Sequence, residues 1–243
     1  MKTIRLDTVD STNTYAKQNA VNFSVHDITC VTAEAQTAGR GRFGRPWVSP
    51  KGSNVYATFV FRLPLETPHL KSLGQVIAAS VARLLVGEQL HPQIKWPNDV
   101  LLSGKKLAGV LCETEFHRDF VQVFLGVGLN VNMDGGELET IDQPATSLKN
   151  ETGRVWDKAA LLQKLQMQFA ADLEHFKKEG FAPFHNLFES LLAHKGQVVR
   201  CFDGKKTWEG ICHSLTSDGQ LNLYLADKTM HTVIAGEVKG DGK

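Results

Sequence analysis

The run Val55-Tyr56-Ala57-Thr58-Phe59-Val60-Phe61-Arg62-Leu63 constrains the fold more than any other stretch of the chain. Its β-branched and aromatic side chains suit a pleated, buried surface and fit a helix poorly. Such a run needs strands beside it and helices over it. Residues 4–9 read as a short first strand and 28–35 as a buried one. Residues 120–132 read as a long strand whose glycines, Gly126 and Gly128, mark close backbone approach. A further strand, 94–96, ends at Pro97, which lacks an N–H and biases Trp96 to an extended conformation. Asp99–Leu102, the turn Ser103-Gly104-Lys105 and residues 106–113 then form a hairpin.

Helices alternate with these strands. Asp10-Ser11-Thr12 offers capping side chains for a short helix to about residue 20. Between 69 and 89, Leu73, Val76, Ile77, Ser80, Val81, Leu84 and Leu85 recur at helical spacing and read as core. Asp157 caps a long helix with Leu161, Leu162, Leu165, Phe169, Leu173 and Phe176 inside, and Gly180 stops it. Another helix spans 183–192. Residues 135–150 are polar, proline-containing and aperiodic, and read as a mobile loop. After Gly196 the pattern changes to short strands with Asp203-Gly204 and Asp218-Gly219 turns. That module is too small to be stable alone and is expected to pack on the rest. The expected organisation is α+β: residues 1–193 as one domain and 194–243 as a small β-barrel.

Between Gly39 and Arg45 the chain places Arg40, Arg42 and Arg45 among Gly39, Gly41 and Gly44, with Gln36 and Trp47 at the flanks. Glycines let backbone approach a ligand closely, and guanidinium groups are planar forks for carboxylate or phosphate. Such a loop suits closure over an anion. The whole chain, however, carries 27 Lys and Arg against 26 Asp and Glu, which argues against a protein that works by coating nucleic acid. The anion is therefore a small one. Cys30, Cys112, Cys201 and Cys212 form no CxxC pair, and the nine histidines form no HExxH, so neither zinc nor a redox dithiol is expected. No signal peptide and no run of 18 apolar residues is seen, and the expected place is the cytoplasm, away from membranes.

Five segments in order resemble the biotin protein ligases. Gly39-Arg40-Gly41-Arg42-Phe43-Gly44-Arg45-Pro46-Trp47 resembles GRGRxGRxW, and Lys95-Trp96-Pro97-Asn98-Asp99 resembles KWPND. Lys106-Leu107-Ala108-Gly109-Val110-Leu111 resembles KLAGIL, and Gly126-Val127-Gly128-Leu129-Asn130-Val131-Asn132 resembles GxGxNxN. Ser11-Thr12-Asn13 matches the start of the family's catalytic domain. The resemblance covers nearly the whole chain. It implies a mixed or antiparallel sheet with flanking helices, of the class II aminoacyl-tRNA synthetase-like kind shared by biotin and lipoate ligases, with an SH3-like C-terminal barrel. It also implies a short form without the DNA-binding domain some members carry, because ten residues precede Ser11.

The implied substrates are biotin and ATP with Mg²⁺ carried on its phosphates, and the implied protein partner is a biotin carboxyl carrier protein of acetyl-CoA carboxylase. The enzyme is expected as a monomer or homodimer that binds no DNA. By resemblance Ser11, Thr12, Asn13, Gln36, Gly39, Arg40, Gly41, Arg42 and Lys106 bind biotin. Arg40, Arg42, Arg45, Trp47, Asn98, Lys106 and Asn130 bind ATP or the adenylate, and 144–148 folds around it. Arg42, Lys106 and Asp99 are the catalytic set: Arg42 bridges carboxylate and α-phosphate, and Asp99 takes a proton from the carrier lysine. If the loop is extended, Arg40 and Arg42 point to one side.

Each residue also has a plainer reading. Ser11 is an N-cap, Gln36 a strand-end cap, Arg45 a surface ion pair, Trp47 a core side chain and Asp99 a turn carboxylate. Asn130 sits inside an apolar strand and must find polar partners. Gly126-Val127-Gly128 is not a dinucleotide fingerprint, for no third glycine or helix follows. The alternatives are a lipoate or octanoate ligase of the same fold, whose glycine-rich segment differs, and a non-catalytic biotin-binding module.

Overall fold

A computed structural model describes residues 1–240. The chain opens with β1 (Lys2–Val9), α1 (Thr12–Gln18) and β2 (Thr29–Gln36). Then come β3 (Val55–Leu63), α2 (Leu73–Gly87), β4 (Gln93–Lys95), β5 (Asp99–Leu102), β6 (Lys105–Phe116) and β7 (Val121–Leu129). Two short helices, α3 (Gly135–Leu138) and α4 (Leu148–Thr152), precede α5 (Lys158–Glu179) and α6 (Ala182–Ser190). The chain closes with β8 (Val198–Phe202), β9 (Thr207–Leu215), β10 (Leu221–Tyr224), β11 (Met230–Val233) and β12 (Glu237–Gly240).

β1 to β7 form one mixed sheet in the order β1-β2-β3-β7-β6-β5-β4, parallel only between β1 and β2. The central strands are apolar throughout because both faces are covered. On one face Phe59, Val123 and Leu125 join Ile77, Leu165 and Phe169 of α2 and α5 in the main core. On the other, Val31, Val60 and Phe124 pack with Ala16 of α1. Period-2 alternation separates the two sets along each strand. The stripe read as core in α2 is buried, and so is the one in α5. Asp157 caps α5 by accepting from the N–H groups of Ala159 and Ala160, and Gly180, at φ 64°, ends it. The buried carboxylate of Asp172 in α5 accepts from Ser80 and Gln168 and is ion-paired to Arg83, which ties α5 to α2. By length and composition Leu70–Gly87 could cross a membrane, but here most of it lies in the core.

β8 to β12 form a second, antiparallel sheet in the order β11-β10-β9-β8-β12. It shares the main core through Val199, Cys201, Cys212, Leu215, Leu221 and Leu223. Polar ties add to this. The Trp96 indole donates to the Gly219 carbonyl at 2.9 Å, Gln75 donates to the same oxygen at 2.7 Å, and Ser72 donates to the Asp218 carbonyl at 2.8 Å. The Asp218-Gly219 turn read from sequence is thus one of the contact points between the second sheet and the rest of the chain.

Two expectations need correction. Residues 135–150 are not a free loop: they contain α3 and the start of α4, and their backbone is bonded to the sheet. Lys106 donates to the Pro144 carbonyl and accepts from Thr146 N–H, each at 2.9 Å, while Leu148 and Lys149 donate to the carbonyls of Asn130 and Val131. Polarity without period misled because the segment pairs with strand ends instead of burying a face of its own. Nor does Ser11 cap α1 with its side chain. The free N–H of Thr12 is taken instead by Gln36 Oε1, at 2.9 Å, from the end of β2.

Candidate active site

Glycines clear a trough in the α1 face of the sheet. Gly109 of β6 lies opposite Gly128 of β7, and Gly126 pairs with Leu111 on one side and Thr58 on the other. A Cβ at Gly126 would lie 2.4 Å from Asn13 Oδ1. One at Gly128 would lie 2.4 to 2.6 Å from the Trp47 indole, and one at Gly109 within 3.0 Å of Trp47 and the Lys106 side chain. These are distances real Cβ atoms do not show, so only glycine admits α1 and Trp47 to the sheet here. The close approach read from Gly126 and Gly128 is met by named side chains.

The Arg/Gly loop folds over this trough. It is not extended. Gly41 N–H donates to the Arg45 carbonyl and Trp47 N–H to the Gly39 carbonyl, each at 2.8 Å, closing a tight hairpin. Phe43 and Gly44 at its tip have φ of 57° and 71°. The arginines consequently fan apart, contrary to the expectation that Arg40 and Arg42 share a side. Arg40 forms a bidentate pair with Glu113 of β6, both distances 3.1 Å. Arg45 forms another with Glu237 of β12, with Nη2 2.6 Å from Oε2. Arg42, between them, donates to the Gly236 carbonyl at 3.0 Å and lies 3.4 Å from Asn98 Oδ1. Among the described residues it is the one arginine of the loop with no carboxylate in salt-bridge contact. Burial lowers its pKa from the ordinary arginine value, with Asp99 and Glu237 opposing. A guanidinium remains charged at neutral pH regardless, so this is a partly desolvated cation.

One cavity runs beneath the loop, from the start of α1 to the start of β12, and Arg42 stands in its wall. At one end Ser11, Thr12 and Asn13, all buried, form a hydroxyl and amide row with Gln36. The Thr58 hydroxyl sits 2.6 Å from Asn13 Oδ1 and 2.9 Å from Thr12 Oγ1. Thr12 Oγ1 donates to Gln36 Oε1 at 3.2 Å, and Gln36 Nε2 donates to Ser49 Oγ at 3.0 Å. At the other end Lys106, the second residue of β6 after the hairpin turn, places Nζ 2.9 Å from Asp99 Oδ1. The same ammonium lies 5.4 Å from the centre of a Trp47 ring, within cation–π range. Asn98 is buried and donates to the Val110 carbonyl, which orients its Oδ1 toward Arg42.

The cavity therefore gathers Ser11, Thr12, Asn13, Gln36, Arg40, Gly41, Arg42, Arg45, Trp47, Asn98, Asp99 and Lys106. Gly39 and Asn130 lie outside its lining. A Cβ at Gly39 would meet Ser49 Oγ, the Trp47 carbonyl and Gln36 Nε2 within 2.9 Å, so Gly39 serves the packing of the loop base. Asn130 did need partners, but they are structural: its side chain accepts from Asn54 and donates to the Thr146 carbonyl at 3.1 Å. Arg45 makes the ion pair that was its plainer reading, although with a residue of the second sheet. The sequence reading missed Glu113, Glu237, Gln143 and Thr58. Glu113 had a signal, a carboxylate directly after the apolar run Leu107–Cys112. Burial raises its pKa, and hydrogen bonds from Lys17, Asn13 and Arg40 outweigh that to leave it below the ordinary glutamate value. Glu237 is likewise lowered on balance, burial being overcome chiefly by Arg45.

Among the described residues no group of three or more His, Cys, Asp or Glu side chains is placed to hold a metal ion. The arrangement offers an amide and hydroxyl end, a lysine–carboxylate end, and an unpaired guanidinium between them.

Comparison with known proteins agrees with this chemistry. The biotin/lipoate A/B protein ligase family model matches residues 6–130. The biotin–[acetyl-CoA-carboxylase] ligase of Paracoccus denitrificans is 34% identical over 221 residues, covering 88% of this chain and 90% of that one. The bifunctional ligase/repressor BirA of Bacillus subtilis is 34% identical over 235 residues, covering 91% of this chain and 71% of its own. The structure of biotin protein ligase from Aquifex aeolicus in complex with biotin and ATP superposes with a TM-score of 0.83 at 30% identity, covering 98% of this chain and 97% of that one.

Proposed function

The chain belongs to the biotin/lipoate A/B protein ligase family, and from that premise we infer that it is an ATP-dependent biotin–[acetyl-CoA-carboxylase] ligase. It activates biotin to biotinyl-5′-AMP and passes the biotinyl group to a lysine of a biotin carboxyl carrier protein. The observation that carries this reading is that Arg42, Lys106 and Asp99 meet in the cavity whose far end is the Thr12, Asn13 and Gln36 row.

The ureido ring of biotin offers one carbonyl acceptor and two N–H donors, which suits the hydroxyl and amide row. The valeryl carboxylate then lies toward Arg42 and Lys106. In the first half-reaction a carboxylate oxygen attacks the α-phosphorus of ATP, and the bond to pyrophosphate breaks. Two anions must meet, and Arg42 and Lys106 offset their repulsion in a site sheltered from water. In the second, the carrier lysine amine attacks the acyl carbon and AMP leaves. Asp99 receives the amine proton, with Lys106 close enough to hold its charge. Arg45 and Asn98 serve the nucleotide, and Trp47 forms a wall. Gln143 lines the cavity at the edge of 144–148, a position consistent with that segment closing on the adenylate. Mg²⁺ reaches the site on the phosphates of ATP, which with water supply most of its ligands.

We assign residues 1–193 to the catalytic unit and 194–243 to a second unit, whose described strands β8 to β12 border the nucleotide end through Gly236 and Glu237. Free thiols at Cys30, Cys112, Cys201 and Cys212 fit a reducing cytoplasm. The test is Lys106→Ala. The parent protein should form biotinyl-AMP from biotin and MgATP, whereas the variant should bind biotin by calorimetry yet form the adenylate at least a hundredfold more slowly. Equal rates would remove Lys106 from the chemistry.

A further inference from the structure

Glu113 stands behind the biotin end of the cavity, outside its lining but bonded to two residues that line it, Asn13 and Arg40. Its carboxylate accepts from Lys17 at 2.8 Å, from Asn13 Nδ2 at 2.9 Å and from both terminal nitrogens of Arg40 at 3.1 Å. Its side chain is only 19% exposed. One carboxylate thus joins β6, helix α1 and the Arg/Gly loop.

We propose that Glu113 is a positioning residue for biotin, fixing the Asn13 amide and, through Arg40, holding the Arg/Gly loop down over the bound ring. Asn13 Nδ2 faces two acceptors, Glu113 Oε2 and the Leu111 carbonyl, and Oδ1 faces the Thr58 hydroxyl. Only one amide orientation satisfies all three. That orientation sets an acceptor, Oδ1, directly over Gly126 in the cavity wall, where a ureido N–H group finds it. The loop closes on itself through Gly41, Arg45, Gly39 and Trp47, and Arg40 ties it to β6. Arg40 is therefore held toward the Asn13 end of the cavity.

This inference rests on the biotin-ligase reading, and its failure is distinguishable from failure of that reading, since parent protein that binds no biotin ends the comparison before any variant is made. The experiment compares Glu113→Gln, Glu113→Asp and Lys17→Met with the parent protein. Biotin affinity is read by calorimetry, escape of biotinyl-AMP by stopped-flow fluorescence, turnover at saturating biotin by carrier labelling, and folding by thermal melting. Glu113→Gln should weaken biotin binding at least tenfold and speed escape of the adenylate similarly, with saturated turnover within threefold. That split marks ground-state positioning, not chemistry. Glu113→Asp, which keeps the charge but shortens the reach, should fall between. Lys17→Met, which leaves the Asn13 and Arg40 contacts in place, should stay within twofold. Parent-like affinity and escape in Glu113→Gln, or a full effect from Lys17→Met, would overturn the proposal. If Glu113→Gln does not melt cooperatively, Arg40→Met cuts the same tie from the loop side, and unchanged escape there would overturn it equally.

Discussion

Arg42 reaches the cavity as a cation that burial has partly stripped of water and that no carboxylate of the described chain neutralises directly. Its neighbours in the loop, Arg40 and Arg45, each have a glutamate. A charge in that condition gains most when an anion arrives, which suits a step where carboxylate and phosphate must come together. Arg42→Ala should therefore lose roughly 3–4 kcal/mol of transition-state stabilisation, about 10²–10³-fold in the single-turnover rate of adenylation. The two glutamates give a pH signature. Both have folded-state values below the ordinary 4.5, so the stability they supply is fully present above that pH. It is lost as pH falls through their lowered values. Thermal stability measured from pH 6 down to 3 should drop below about 4.5, and Glu113→Gln should flatten that drop.

At the scale of elements, the trough between β6 and β7 sets the room available to α1 and the loop. Gly128→Ala would drive a methyl group into the Trp47 indole, and overpacking of this kind costs about 1–3 kcal/mol. The variant should melt at lower temperature and bind biotin more weakly, because Trp47 also borders Lys106. Parent-like binding would show that the indole can retreat at no cost. The element most changed from its sequence reading is 135–150. Asn130→Ala removes a donor to the Thr146 carbonyl and leaves a buried acceptor unpaired, at about 1–3 kcal/mol. It should raise hydrogen exchange of the 144–148 amides first, with the adenylate held less well as a consequence. The strands and long helices were legible because their periods are local: every apolar position assigned to α2 and α5 is buried. The ties of the site were not legible, since period says nothing of partners 73 residues apart, as Arg40 and Glu113 are, or 192 apart, as Arg45 and Glu237 are. The reasoning that singled out Asn130, a polar side chain in a buried strand, applies equally to Glu113. Only the fold tells that Glu113 holds two residues of the cavity wall, Asn13 and Arg40, while Asn130 holds the Thr146 carbonyl.

Over the whole molecule, the second sheet is part of the same core and part of the same site. Glu237 holds Arg45, the Gly236 carbonyl holds Arg42, and the turn at Gly219 receives Trp96 and Gln75. Residues 1–193 expressed alone should be poorly folded, since removing the rest uncovers Phe181 and Gln75 at Gly219 and the side of α6 that meets β9. A cooperative melt at the parent temperature would refute that dependence. The central claim concerns which acid the cavity activates and where it goes. It is tested most directly by incubating the protein and MgATP with an apo biotin-carrier domain and, in separate tubes, biotin, lipoate or octanoate, then weighing the carrier by intact-mass spectrometry. The account predicts a biotin-sized gain on one carrier lysine that requires ATP and Lys106, with no gain from the other acids. A gain from lipoate or octanoate alone, or none from biotin despite tight biotin binding, would contradict it.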